Sequence, residues 1–276
     1  MTVAVPRHLT WPGRWPRATL VALAAGGTAF TLIQIVIGSQ AGLFPIPPGD
    51  TLIWDRVGDG LRDGDSIYYT AEPLTDSFWY APPWAVLFAA TSWLPTWGLH
   101  LVFVAVKVLS LRVIAGSWLG AGLAAWFPLV AFDLASGSFN LLMAAAIVAA
   151  VRGRPELAVV ASLAKFGPLL AIDPRQWRTV LPVALVAALI TLPWLSLWPA
   201  WIDHLAANVG SALGPQLPIP LLVRWALAMG LLALRRPSAR ALAATIAIPA
   251  FYWGSLVILI APIAVWLRDR QSPEAA

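Results

Sequence analysis

The chain contains no cysteine, which excludes disulfides, thiolate metal sites and cysteine nucleophiles. Charge is scarce as well. Asp, Glu, Lys and Arg make up 11% of the 276 residues, where a soluble domain carries about a quarter. Such a chain cannot cover a water-facing surface. It also lacks a glycine-rich phosphate loop, a His-Glu-x-x-His element and a Ser-His-Asp arrangement, so the motif-borne chemistries of nucleotide and zinc enzymes have no foothold.

What the chain has is apolar length. Hydrophobic residues make up 59% of it, mean hydropathy is +0.76, and there are 16 Trp. Repeated apolar runs predict a single membrane-embedded, all-α, polytopic transmembrane bundle over residues 1–276. Trp93, Trp97, Trp118, Trp177, Trp198, Trp201 and Trp266 sit at the ends of those runs, where an amphipathic ring prefers the headgroup layer. The net charge of +5 is carried by residues that flank apolar segments rather than form one compact face. That pattern serves membrane orientation and not nucleic-acid binding.

The first apolar run, Ala18 to Gly38, follows Arg7, Arg14 and Arg17 and is long enough to span a bilayer. It reads as a transmembrane helix with residues 1–17 in the cytoplasm; cleavage near Ser39 to Ala41 is the alternative. Residues 39–80 then form a polar stretch with Asp50, Asp55, Asp59, Asp63, Asp65, Glu72 and Asp76 against Arg56 and Arg62. An acid-rich loop after a basic amino terminus belongs outside the cytoplasm.

Beyond Pro82 and Pro83 the expected helices are Trp84–Leu94, Leu99–Ile114, Trp118–Leu134, Phe139–Val151, Leu157–Ile172, Thr179–Leu197, Leu221–Leu234, Ala241–Ala250 and Tyr252–Leu267. Together with the first they predict about nine or ten membrane segments, some of them tilted, re-entrant or broken. Broken backbone at membrane depth has to be buried in protein or line a wet cavity. Arg175, Arg178, Arg235, Arg236, Arg240, Arg268 and Arg270 read as cytoplasmic, whereas Arg152 and Arg154 do not fit the same alternation. Residues 198–220, with Asp203, His204 and Asn208, read as a second extracytoplasmic loop.

Within the first loop, Pro47-Pro48-Gly49-Asp50 stops the preceding chain and Asp is a favoured helix cap. Ile53, Trp54, Val57 and Leu61 recur at helical spacing, with Asp55, Arg56, Asp59, Arg62 and Asp63 on the other side. This predicts an amphipathic helix in the outer interface. Asp50 at its start either caps the helix or faces a cavity in the bundle.

These residues also carry a resemblance. Asp50, Leu61-Arg62-Asp63-Gly64, Tyr68, Trp79-Tyr80-Ala81-Pro82-Pro83 and Leu94-Pro95 resemble the first extracytoplasmic loop of glycosyltransferase family 87, enzymes of the GT-C class that use polyprenyl-phosphate sugars. Further along, Gly137-Ser138-Phe139-Asn140 resembles the family's Gly-Gln-x-Asn element, with Ser138 in place of Gln. Ala164-Lys165-Phe166-Gly167-Pro168 resembles its Lys-x-x-Pro helix, Gln176-Trp177-Arg178 the basic turn after it, and Pro249-Ala250-Phe251-Tyr252-Trp253 a late Pro-x-x-Trp element. The chain is compact for that family.

The resemblance implies a GT-C bundle that moves a sugar, mannose above all, from a polyprenyl phosphate to a glycolipid or glycan acceptor, with inversion, no metal cofactor and Asp50 as general base. The chemistry suits a carboxylate, because the acceptor hydroxyl must lose its proton as it attacks. Lys165 would meet the departing phosphate, since a Lys in an apolar segment is costly and functional by default. Snorkelling or pairing within the bundle explains it equally, and Lys107 is a weaker candidate on the same ground. Asn140 either donates to a sugar hydroxyl or caps the following helix. Tyr68 and Tyr80 stack on sugar or simply pack, and Asp203 with His204 binds acceptor or stays solvated. Asp63-Gly64-Asp65 resembles an Asp-x-Asp metal motif but is also ordinary turn chemistry. Two rival readings stand beside the enzyme: a transporter or lipid flippase, and a non-catalytic binder of polyprenyl phosphate.

Overall fold

The computed structural model describes residues 16–41, 49–69, 77–207, 219–249 and 253–270. Among them every regular element is helical. Arg7, Arg14, Pro47, Pro48, Glu72, Asp76, Asn208 and the middle of Pro249–Trp253 lie outside the described residues.

In chain order the helices are α1 (Arg17–Gln40), α2 (Gly49–Asp63), α3 (Pro82–Thr91), α4 (Thr96–Ala115), α5 (Trp118–Ala124), α6 (Pro128–Ala135) and α7 (Asn140–Val151). After them come α8 (Glu156–Ser162), α9 (Trp177–Leu189), α10 (Leu197–Ala207), α11 (Leu221–Ala233), α12 (Pro237–Ile246) and α13 (Ile260–Asp269), with 3-10 turns at Gly167–Ala171, Leu192–Trp194 and Trp253–Leu259. By length and composition, α1 and α4 can cross a membrane, and α5 with α6 makes a third crossing if their 100° bend is counted as one span. This fits a membrane protein. The number of full-length spans falls well below the about nine or ten segments expected from apolar runs.

The reason lies at the interruptions. Trp118–Leu134 breaks before Pro128, which lacks an N–H and restricts the residue ahead of it. Leu157–Ile172 is not one helix either. α8 ends at Ser162 and the Gly167–Ala171 turn sends the chain back. Gly167 lies so close to the Ala244 carbonyl and Ile248 that no side chain would fit there.

α7 is the centre of the bundle. Its sequence, NLLMAAAIVAAV, is apolar on all sides, as a wholly enclosed helix must be. The alanines let α4, α8, α12 and α13 approach it closely. α2 carries the expected stripe, and Ile53, Trp54, Val57 and Leu61 are all buried. Protein covers that stripe: Trp54 stacks on Phe88 of α3 with centroids 5.3 Å apart, and it also touches Phe103 of α4 and Phe139. α1 holds on through small residues. A side chain at Gly27 would strike the Gly122 carbonyl, Thr31 Oγ1 donates to the Ala125 carbonyl (2.6 Å), and Trp126 Nε1 donates to the Leu23 carbonyl (2.8 Å). Its other faces leave Leu32, Ile33, Val36 and Ile37 exposed.

The charges separate along the bundle axis. At one end Arg152 Nη1 donates to the Val113 carbonyl (3.1 Å) and Arg268 Nη2 to the Ile114 carbonyl (2.7 Å), so the carboxyl ends of α4, α7 and α13 converge. The Ser238 N–H donates to Asp269 (3.3 Å), which brings in the start of α12 with Arg235 and Arg236. Arg240 pairs with Asp173 (3.3 Å), and Gly153 lies beside Gln176, which brings in Arg175 and Arg178. Arg152 and Arg154 thus share an end with Arg175 and Arg178. The alternation failed in the sequence because the intervening segment turns back instead of crossing.

At the other end, the start of α4 meets α2. Thr96 Oγ1 donates to Asp55 (2.5 Å), and Thr51 Oγ1 lies 3.4 Å from His100 Nδ1. The tryptophans divide in the same way. Trp93 and Trp97 are exposed at the acidic end, whereas Trp118, Trp177 and Trp266 are exposed at the arginine end. The 20 residues of α4 between them rise about 30 Å, the thickness of a bilayer core.

Candidate functional site

The amino end of α7 is buried, so its unpaired N–H groups need partners. Asp133, at the end of α6, supplies one: its Oδ2 accepts from the Leu141 N–H (3.2 Å), while Ser138 Oγ donates to its Oδ1. Lys107 of α4 is buried nearby and acts on the carboxylate electrostatically, though its ammonium binds the backbone and not the carboxylate oxygens. Lys107 Nζ donates to the Asp133 carbonyl (2.6 Å) and to the Ser136 carbonyl. Asp133 and Asn140 are fully buried and Lys107 is nearly so.

Asn140 extends this network. Its Nδ2 donates to Ser138 Oγ (3.1 Å) and the Gly254 carbonyl (3.3 Å), and its Oδ1 accepts from Lys165 Nζ (3.4 Å). Asn140 is therefore the first helical residue of α7 and not its cap; that role falls to Asp133. Lys165 is half-buried at the point where the re-entrant segment turns, between α8 and the Gly167–Ala171 turn.

Asp50 lies in the first turn of α2, half-buried. Its Cβ abuts Gly137 so closely that any side chain at 137 would collide with it. Gly137 is the link between Ser136 and Ser138, so Asp50 is pinned against the loop that forms the polar core. The Asp50 and Asp133 carboxylates both act electrostatically on Lys107.

A wall of rings adjoins the core at Phe139. Tyr80 meets Phe139 edge-on (4.9 Å), and Tyr68 Oη donates to the Tyr80 carbonyl (2.8 Å). His204 lies 4.7 Å from the Trp79 ring and 6.1 Å from Tyr68. Trp201 Nε1 donates to the Trp79 carbonyl (3.1 Å), which ties α10 to α3's approach. Burial pushes the Tyr68 phenol far above its ordinary value and lowers His204, so both are neutral at neutral pH.

Of the residues singled out from sequence, Asp50, Lys107, Asn140 and Lys165 are brought together, and Tyr68, Tyr80 and His204 line the adjoining wall. Asp203 is exposed, and it and His204 belong to helix α10 rather than to a loop. Asp63-Gly64-Asp65 closes α2 as a turn with Gly64 at φ 83°. Beside it a cleft of about 320 Å³ is lined by Arg56, Asp59, Asp63, Asp65, Ser66 and Tyr69. Among the described residues no group of His, Asp and Glu could hold a metal ion. Sequence reasoning passed over Asp133. The signal was there, since an Asp inside the apolar run Trp118–Leu134 is as costly as the lysines that drew notice.

No family model, curated protein or solved structure matches the chain.

Proposed function

We propose that the chain is a multi-pass membrane glycosyltransferase of GT-C type that moves a sugar, mannose above all, from a polyprenyl phosphate to a glycolipid or glycan hydroxyl. The observation that carries this reading is Asp50, half-buried against Gly137 beside a polar core that ends at Lys165. In this reading the Asp50 carboxylate accepts the proton of the acceptor hydroxyl, whose oxygen attacks the anomeric carbon from the side opposite the phosphate. The bond between anomeric carbon and phosphate oxygen breaks, the configuration inverts, and the lipid phosphate leaves with the electron pair. Lys165 meets the charge that develops there. Asn140 holds Lys165 in place, and Tyr68, Tyr80 and His204 form the wall against which sugar or acceptor rests, with Asp203 at its exposed rim. No metal is required, because the leaving group is a single lipid phosphate.

In this reading the amino terminus and the arginine end are cytoplasmic and α2 with Asp50 lies outside; the gathering of arginines at one end and carboxylates at the other supports that orientation through the positive-inside rule. The test is transfer from polyprenyl-phosphomannose to mixed acceptors by purified protein. Asp50→Asn is expected to lower turnover by about 10²–10⁴-fold, the usual worth of a positioned base. Equal product from both proteins would refute the assignment.

One observation favours a second reading, a transporter or flippase. Two ionisable residues, Lys107 and Asp133, are buried together inside the bundle, Asp133 on the bent α5–α6 segment itself, and ionisable groups beside broken helices mark translocation sites. Movement of labelled polyprenyl phosphate across proteoliposomes, without sugar transfer, would select it.

A further inference from the structure

We propose that the arginine end of the bundle is a docking surface for the headgroups of anionic phospholipids. The inference goes beyond the glycosyltransferase reading and stands or falls separately from it. It rests on where the guanidinium groups lie as well as on their abundance. Arg112 lies over the Trp118 ring (5.8 Å), Arg178 over Trp177 (5.4 Å) and Arg270 over Trp266 (4.0 Å). All of these indoles are exposed, at 59%, 56% and 41%. An exposed indole on a membrane helix settles at headgroup level, and a cation held over its face settles at the same depth. That is the depth of lipid phosphates.

The local charge is not neutralised from within. The acids described at this end are Glu156, Asp173 and Asp269; Asp173 is taken by Arg240, and Asp269 accepts from the Ser238 N–H. Arg154, Arg235 and Arg236 remain exposed around them. Guanidinium is planar and binds phosphate oxygens in pairs, so neighbouring arginines at one depth suit a layer of phosphate monoanions better than a single soluble ligand. A zwitterionic headgroup brings its own cation and gains less.

The test uses the full chain in detergent, titrated with phosphatidylglycerol or phosphatidylcholine. Bound lipid is counted by native mass spectrometry and Tm is read in parallel. Phosphatidylglycerol is expected to be retained and to raise Tm, with both effects lost at high salt. The double variant Arg154→Gln, Arg236→Gln is expected to bind it roughly thirty-fold more weakly, since each arginine contributes about fivefold. The double variant Arg56→Gln, Arg62→Gln removes the same charge from the opposite end and should leave binding unchanged. Equal stabilisation by phosphatidylcholine, salt-insensitive binding of wild type, or equal losses in both variants would overturn the proposal. The salt series on wild type needs no variant to fold.

Discussion

Where α4 ends, arginines reach to backbone carbonyls at Val113 and Ile114 or lie over exposed indoles. Where α4 begins, carboxylates line α2, and Asp50 is pinned by its Cβ against Gly137 beside the polar core. The first end spends its charge on anchoring, because water and headgroups solvate it at little cost. At the second, charge goes inward to Asp133 and Lys107, where every polar group has to find its partner in protein. Expensive placement of this kind is what a working site requires, and cheap placement is enough to hold a chain in a bilayer.

Removing the buried cation gives the largest expected effect. Lys107→Met leaves the Asp133 and Ser136 carbonyls without their donor and the buried Asp133 carboxylate without a nearby positive charge, and is expected to cost about 3–5 kcal/mol, read as a fall in Tm in detergent. Adding Asp133→Asn should recover part of the loss, so the double variant costs less than the sum of the singles. A simple sum would mean that the two residues are not coupled.

A middle-sized effect tests the link between α2 and the core. Gly137→Ala forces a methyl into the Cβ of Asp50 and is expected to cost about 1–3 kcal/mol as α2 is pushed away. If Asp50 is the base, turnover falls further than stability explains. Unchanged Tm and turnover would show that α2 can give way freely.

The smallest effect belongs to the half-buried ion pair near the surface of the arginine end. The Arg175 backbone N–H first, and then Arg240, hold the Asp173 carboxyl below its ordinary value. A depressed carboxylate contributes stability above its unfolded pKa of about 4 and loses it as pH falls through the lower folded value. Asp173→Asn should therefore lower Tm slightly near neutrality and not at all in strong acid. A loss as large as that of Lys107→Met would erase the distinction between the two ends.

Much of this could be read from the chain alone. The α2 stripe of Ile53, Trp54, Val57 and Leu61 declared itself through spacing, because a helix repeats every 3.6 residues whatever covers it. The division of tryptophans and arginines was visible as flanking positions. Three-dimensional pairings were not. Nothing local to Lys165 points to Asn140, and the return of the chain after Ser162 depends on the fit of Gly167 against α12. Asp133 vanished into an apolar average, since one carboxylate barely moves the hydropathy of a long run.

The contact between Thr31 and Ala125 joins residues 94 positions apart. During synthesis at roughly 5–20 residues per second, the first helix therefore waits about 5–20 s before its glycine-lined partner emerges. Through that interval it has lipid alone for company. Its 24 residues, long and apolar enough to cross a membrane, suit a segment that must lodge in the bilayer unaided and be recruited afterwards.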